Sequence, residues 1–188
     1  MPWAILIRQQ YRTDCAMTMK HETQSNRIAL RKICQDDAEF MIKLARDPET
    51  ARYITGLIAD RNEMTDWINS LGDNSHEYII TLKDDGSPIG ECGLTLLGDS
   101  AEIGIMLLPG YWNKGYGTEA IYALKDKAGD LGVRELSAMT DAENAALIHI
   151  LSKLGFEKTA IIWHVRINET VDTGKLRHNN MVEYRMDI

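Results

Sequence analysis

An α+β fold is predicted for this 188-residue chain, with about seven strands in one mixed, mostly antiparallel sheet and about four flanking helices. Three observations carry the prediction. The patterned region opens with an alternating segment and then two helical ones, three strand-like segments follow with short turns, and helical and strand-like segments then take turns before two final strands.

Taken in order, Ile28 to Ile33 alternates and reads as the first strand. Asp36 can then cap a helix through Phe40, Met41 and Leu44 that Asp47-Pro48 stops. A second helix is expected from Met64 to Leu71, and the acids Asp60, Glu63 and Asp66 near its start either favour its dipole or draw a polyamine, an aminoglycoside or a basic peptide. Glu77 to Leu82 and Pro88 to Leu97 are strand-like, and the composition of Asp84-Asp85-Gly86-Ser87 between them is that of a hairpin turn. Gly98-Asp99 then turns the chain into Ser100 to Leu108. Apolar residues recur at helical spacing from Thr118 to Leu131. Leu136 to Thr140 is a short strand, and Ala145 to Leu154 is a helix that Gly155 closes as C′ residue. Phe156 to Val165 and Met181 to Met186 supply the last strands, joined by a polar hairpin loop from Asn168 to Asn180.

Composition narrows the function classes. A net charge of -7 argues against nucleic acid or an anionic membrane as partner and favours cationic ligands such as amines. Cys15, Cys34 and Cys92 are odd in number and scattered, which supports neither a disulfide framework nor a structural zinc site and suits a reducing cytoplasm. Trp3 to Ile7 is too short an apolar run for a signal peptide or membrane span. Residues 1–26 are expected to form an extension and 27–188 a single domain. With Met17 and Met19 just upstream of the patterned region, the extension is either a poorly ordered tail or a matter of where translation starts.

The most informative stretch is Gly115-Tyr116-Gly117-Thr118-Glu119-Ala120, between a strand and a helix. Two residues without Cβ atoms at a helix entrance let an anion approach amides that have no intrahelical acceptor, and Lys114 could add a full charge. Such a pair also occurs wherever a chain merely turns into a helix, so the neighbouring residues decide. No Gly-Lys-Ser/Thr follows, which excludes a P-loop nucleotide site.

Trp112-Asn113-Lys114-Gly115-Tyr116-Gly117 after a strand resembles the pyrophosphate loop of the GNAT superfamily of N-acetyltransferases, Q/R-x-x-G-x-G/A. Ala101-Glu102-Ile103-Gly104-Ile105 before the loop, Asn144 opening a helix and Lys153-Leu154-Gly155-Phe156 closing it look like the branch that acetylates ribosomal-protein N-termini. The resemblance runs from about Arg27 to Ile188. It implies acetyl-coenzyme A as co-substrate, no metal, and direct acetyl transfer to a primary amine, either a small molecule or a peptide N-terminus. It also implies a coenzyme site of Met106 and Leu107 main chain, the loop Asn113, Lys114, Gly115, Tyr116, Gly117 and Thr118, and the Asn144 side chain. Asn144 is equally read as an N-cap. Neither nucleic acid nor membrane is an expected partner, and a homodimer is left open.

Two departures stand out. Trp112 replaces the polar first loop residue, and Leu147 and Leu151 occupy positions where relatives carry a Ser or Tyr able to protonate the departing thiolate. The alternative to an enzyme is therefore a coenzyme-binding module of the same fold with little or no turnover.

The chemistry needs a base for an ammonium of pKa near 10, a donor to an oxyanion, and a way for a thiolate to leave. If Gly98-Asp99 is a two-residue turn, Thr95 faces Glu102, Gly93 faces Gly104 and Glu91 faces Met106. Glu91 and Glu102 then share one face beside open space over paired glycines, while Cys92, Leu94, Leu96, Ile103, Ile105 and Leu107 form an apolar opposite face. Each glutamate is a candidate base, with a solvated outer-face residue as the alternative. Asp141 and Glu143 are weaker candidates. A backbone N–H within Ile105 to Leu107 is the expected oxyanion donor, and either water or Tyr184 is the candidate acid, with Tyr184 alternatively a packing residue. His149 is read as a surface residue.

Overall fold

The computed structural model describes residues 26–54, 57–167 and 176–188. The expected extension lies outside them, apart from Asn26. Seven strands form one sheet in the order β1-β2-β3-β4-β5-β7-β6. They are β1 (Ile28–Lys32), β2 (Ser75–Leu82), β3 (Pro88–Leu97), β4 (Ser100–Leu107), β5 (Glu135–Asp141), β6 (Glu157–Ile167) and β7 (Leu176–Asp187). Among the described residues only β4 and β5 pair in parallel, because the helix α3 (Tyr116–Asp130) crosses between them. The other helices are α1 (Ala38–Arg46), α2 (Arg61–Ser70) and α4 (Ala145–Lys153). The predicted α+β architecture and element order hold.

Boundaries differ where side chains act locally. A 3₁₀ turn, Gln35–Asp37, precedes α1, and Asp37 rather than Asp36 organises it: its Oδ2 accepts from the Cys34 N–H at 2.9 Å. The same carboxylate takes two guanidinium hydrogen bonds from Arg31, at 2.6 and 2.9 Å, tying β1 to the start of α1. Asp60 starts α2 earlier than the apolar spacing suggested, accepting from Asn62 and Glu63 N–H groups. The final hairpin is longer than its polar composition implied, with pairing as far as Ile167–Leu176. The remainder of the predicted loop, 168–175, lies outside the described residues.

Strand alternation builds two cores. On one face, α3 and α4 cover Leu30, Ile80, Cys92, Leu94, Ala101, Ile103 and Leu136, and Leu124 and Leu151 are fully buried among them. On the other, α1 and α2 cover Ile33, Ile79 and Met106 with Met41, Ile42, Leu44, Met64 and Ile68. The exposed Glu102 and the Arg185 ion pairs with Glu135 and Glu183 lie on this second face, towards β5 and β7. No helix among the described residues is long and apolar enough to cross a membrane.

Candidate active site

The turn between β3 and β4 holds two residues, with Gly98 at φ +72°, so Leu97 pairs with Ser100. From there the register runs to Thr95–Glu102, Gly93–Gly104 and Glu91–Met106, as the two-residue turn predicts. β2 brings a third carboxylate to this face, Glu77 opposite Gly93.

These acids have different surroundings. Glu102 is exposed and lines a cleft of about 280 Å³ with Glu77, Gly93, Thr95 and Gly104. The paired glycines shape the cleft: a Cβ on Gly93 would overlap the Glu77 carboxylate, and one on Gly104 would project into open space. Glu91 is only 7% exposed. Burial pushes its carboxyl well above the ordinary glutamate value, and the charge of Glu77 adds to the shift. Hydrogen bonding with the Glu77 carboxyl pushes in the same direction. Burial and its upward-shifted carboxyl set Glu91 apart from the exposed Glu102.

This shift couples the site to stability. Folded Glu91 keeps its proton to a higher pH than the unfolded chain, whose glutamates titrate near 4.5, so folding takes up a proton in the window above that value. Stability from the neutral carboxyl is present below the window and is lost as pH rises through it. Glu91→Gln is therefore expected to raise the melting temperature at about pH 8 by a few degrees and to leave it nearly unchanged at about pH 4. Melts across this range check the sign. A variant with the wild-type slope would assign the proton elsewhere.

On the donor side, the β4–β5 ladder stops at Glu102–Ser137. Beyond that pair the strands part. Because Leu97–Ser100 closes a two-residue turn, Met106 directs its N–H and C=O to β3, while Ile105 and Leu107 direct theirs towards the gap. The Leu107 carbonyl already accepts from Trp112 Nε1 at 2.7 Å and Thr50 Oγ1 at 3.3 Å. Of the two expected main-chain positions, Leu107 thus faces the gap through its N–H and Met106 is turned away. Ile105 joins Leu107 there. Trp112 holds the end of β4 with its indole instead of reaching for an anion.

The loop that follows makes a tight helix entrance. Asn113 at φ +57° and Gly115 at φ +86° turn the chain into α3, which has no side-chain cap, unlike α2 and α4. The first intrahelical bond runs from the Glu119 N–H to the Gly115 carbonyl, which leaves the amides of Tyr116, Gly117 and Thr118 without an intrahelical acceptor. Gly117 has a second role: a Cβ there would lie 3.0 Å from Ile150 Cδ1 and 3.6 Å from Leu107 Cδ1, so α3, α4 and β4 meet at this point. Lys114 Nζ donates to the Gly110 carbonyl at 2.7 Å.

Asn144 is the N-cap of α4, accepting from the Leu147 N–H at 3.2 Å and donating to Thr140 Oγ1 at 3.1 Å. Leu151 is buried, Leu147 packs on the same core, and His149 is exposed, as expected. Asp141 is buried and accepts from the Glu143 N–H. Tyr184 is 6% exposed and packs in the core on the α3–α4 side, across the sheet from Glu91 and Glu102. The structure therefore brings Glu77, Glu91 and Glu102 together and leaves Tyr184 apart from them.

A seven-stranded α+β sheet whose β4–β5 ladder ends at Glu102–Ser137 is thus followed by an uncapped, glycine-led helix. The chain belongs to the GNAT acetyltransferase family, whose domain model matches residues 27–157. It is 30% identical to the uncharacterized N-acetyltransferase p20 of Bacillus licheniformis, over 73% of this chain and 83% of that protein. Identity to the uncharacterized N-acetyltransferase YoaA of Bacillus subtilis is 27%, over 74% and 84%. The crystal structure of a GNAT-family acetyltransferase from Bacillus anthracis matches with a TM-score of 0.72 and 20% identity, over 88% of this chain and 97% of that one. The protein is an N-acetyltransferase, and acetyl-coenzyme A is the co-substrate expected of its family.

Proposed function

We propose that the chain transfers an acetyl group directly from acetyl-coenzyme A to a primary amine, with Glu102 as general base. The observation that carries this reading is the position of Glu102 in the β4–β5 ladder: it belongs to the last pair before the strands fork, and its carboxylate is open to the cleft. A base at the fork stands where the donor gap and the acceptor cleft meet.

In this reading the loop Asn113 to Thr118 holds the coenzyme pyrophosphate on free helix amides, with Asn144 fixing the start of the neighbouring helix. Bound acetyl-coenzyme A supplies an activated acyl carbon. The N–H groups of Ile105 and Leu107 are oriented to donate to an oxyanion in the gap. Glu102 takes the proton from the ammonium, directly or through water, and Glu77 adds negative charge that draws a cationic acceptor to the same cleft. Glu91, buried beside Glu77 with its carboxyl pushed upward, is given no part as base. Tyr184 is given no part in proton transfer. A thiol of ordinary pKa near 8.5 is a leaving group that needs no dedicated acid.

The acceptor is an amine, either a peptide N-terminus or a small molecule. Of the acids near the second helix, Asp60 is committed to capping α2, which leaves the cleft carboxylates to set the preference for cations. Thiol release from acetyl-coenzyme A, measured against monoamines, polyamines and peptides with free N-termini, tests this. Amine-dependent release that is fastest for one of these classes is expected. A panel that leaves the basal rate unchanged would contradict the proposal.

A further inference from the structure

Arg27 lies immediately before β1 and outside the loop motif, yet its side chain reaches the start of α3. Its Nη2 donates to the Lys114 carbonyl at 2.9 Å, and its Nε donates to Glu119 Oε1 at 2.6 Å, completing an ion pair. The guanidinium also lies 4.6 Å from the centroid of the Tyr116 ring. A Cβ on Gly115 would come within 3.0 Å of Nη2. One side chain therefore contacts Lys114, Tyr116 and the acid in the first turn of α3, and occupies the space beside Gly115.

We propose that Arg27 is the positioning residue of the coenzyme loop, supplying from just before the first strand the guanidinium that the motif lacks at Trp112. The proposal rests on the reading of this loop as the pyrophosphate site. Two physical effects support it. A loop carbonyl turned towards a phosphate would repel it, and Arg27 fixes that of Lys114 by hydrogen bonding. A carboxylate one turn into the helix complements the dipole but opposes an anion at the same end. Pairing with Arg27 offsets the charge of Glu119 where the anion binds.

The cation within the loop, Lys114, is directed elsewhere. Lys114 Nζ donates back to Gly110 and lies 5.6 Å from the Tyr111 ring centroid. Arg27 is thus joined to the loop through main chain, ring and acid, whereas Lys114 ties the loop to the 3₁₀ turn Pro109–Tyr111 that precedes it.

The test compares two acetyl donors, acetyl-coenzyme A and S-acetylpantetheine, which lacks the pyrophosphate. For Arg27→Ala, calorimetry with coenzyme A is expected to show a Kd about tenfold higher, the scale of one charge-assisted hydrogen bond. KM for acetyl-coenzyme A should rise alike, with a much smaller change in kcat. The loss of kcat/KM should be far smaller with S-acetylpantetheine. Arg27→Lys should recover part of the affinity, and Arg27→Ala with Glu119→Gln should bind coenzyme A more tightly than Arg27→Ala alone. Equal losses with both donors, or a double variant weaker than the single one, would overturn the role of Arg27. Wild-type protein that binds coenzyme A no more tightly than pantetheine would instead remove the pyrophosphate reading, and this proposal with it.

Discussion

Replacing Glu102 with Gln is expected to lower kcat by roughly 10²–10⁴-fold, the range for loss of a positioned general base, with coenzyme A affinity close to that of the wild type. Gln keeps the size of the side chain and its place in the Thr95–Glu102–Ser137 row but cannot take a proton from an ammonium. The fold should tolerate the change, since Glu102 is exposed. Glu77→Gln keeps a hydrogen-bonding partner for Glu91, so its main expected effect is a higher KM for the amine. Full turnover in Glu102→Gln together with loss of turnover in Glu77→Gln would move the base to β2. Initial rates with saturating acetyl-coenzyme A, and calorimetry on each variant, separate these outcomes.

The second large effect is expected at Gly115. Its φ of +86° lies in the left-handed region, and a branched side chain there costs on the order of 1–3 kcal/mol in backbone strain. The added Cβ would also press on Arg27. Gly115→Val should therefore twist the loop amides out of line and weaken coenzyme A binding by tenfold or more, taking about 1.4 kcal/mol per factor of ten. Gly117→Val is a poorer probe. Its Cβ would meet Ile150 at the junction of three elements, so loss of binding there would mix packing damage with loss of the cradle. Normal coenzyme affinity in a folded Gly115→Val protein would defeat the pyrophosphate assignment.

The sequence carried those parts of the site that depend on local chemistry. A two-residue turn determines which residues face each other, so the placement of Glu91, Gly93, Glu102 and Gly104 on one face followed from counting alone. The loop glycines and the Asn144 cap were legible because left-handed backbone and N-caps restrict residue type. What separates Glu91 from Glu102 was not, because it depends on how far α1 and α2 extend over the sheet. Glu91 shares its row with Ile79 and Met106, both packed under these helices, while Glu102 faces the open cleft. Glu77 carries no motif and matters only because β2 lies beside β3. Arg27 meets a loop 87 positions away, a separation that periodicity does not span. Alternation along β4 shows in retrospect that Met106 faces β3, which could have been read from the same turn count that placed Glu102.

Direct transfer from a donor in the β4–β5 gap to an amine beside Glu102 is tested most directly by one single-turnover experiment. Protein in excess is mixed with acetyl-coenzyme A and an accepted amine, and free thiol, acetylated amine and intact protein mass are followed together. One thiol should appear for each acetylated amine, with no acetyl group on the protein at any time. A protein that becomes acetylated before the amine does, or that releases thiol without forming an amide, would contradict direct transfer.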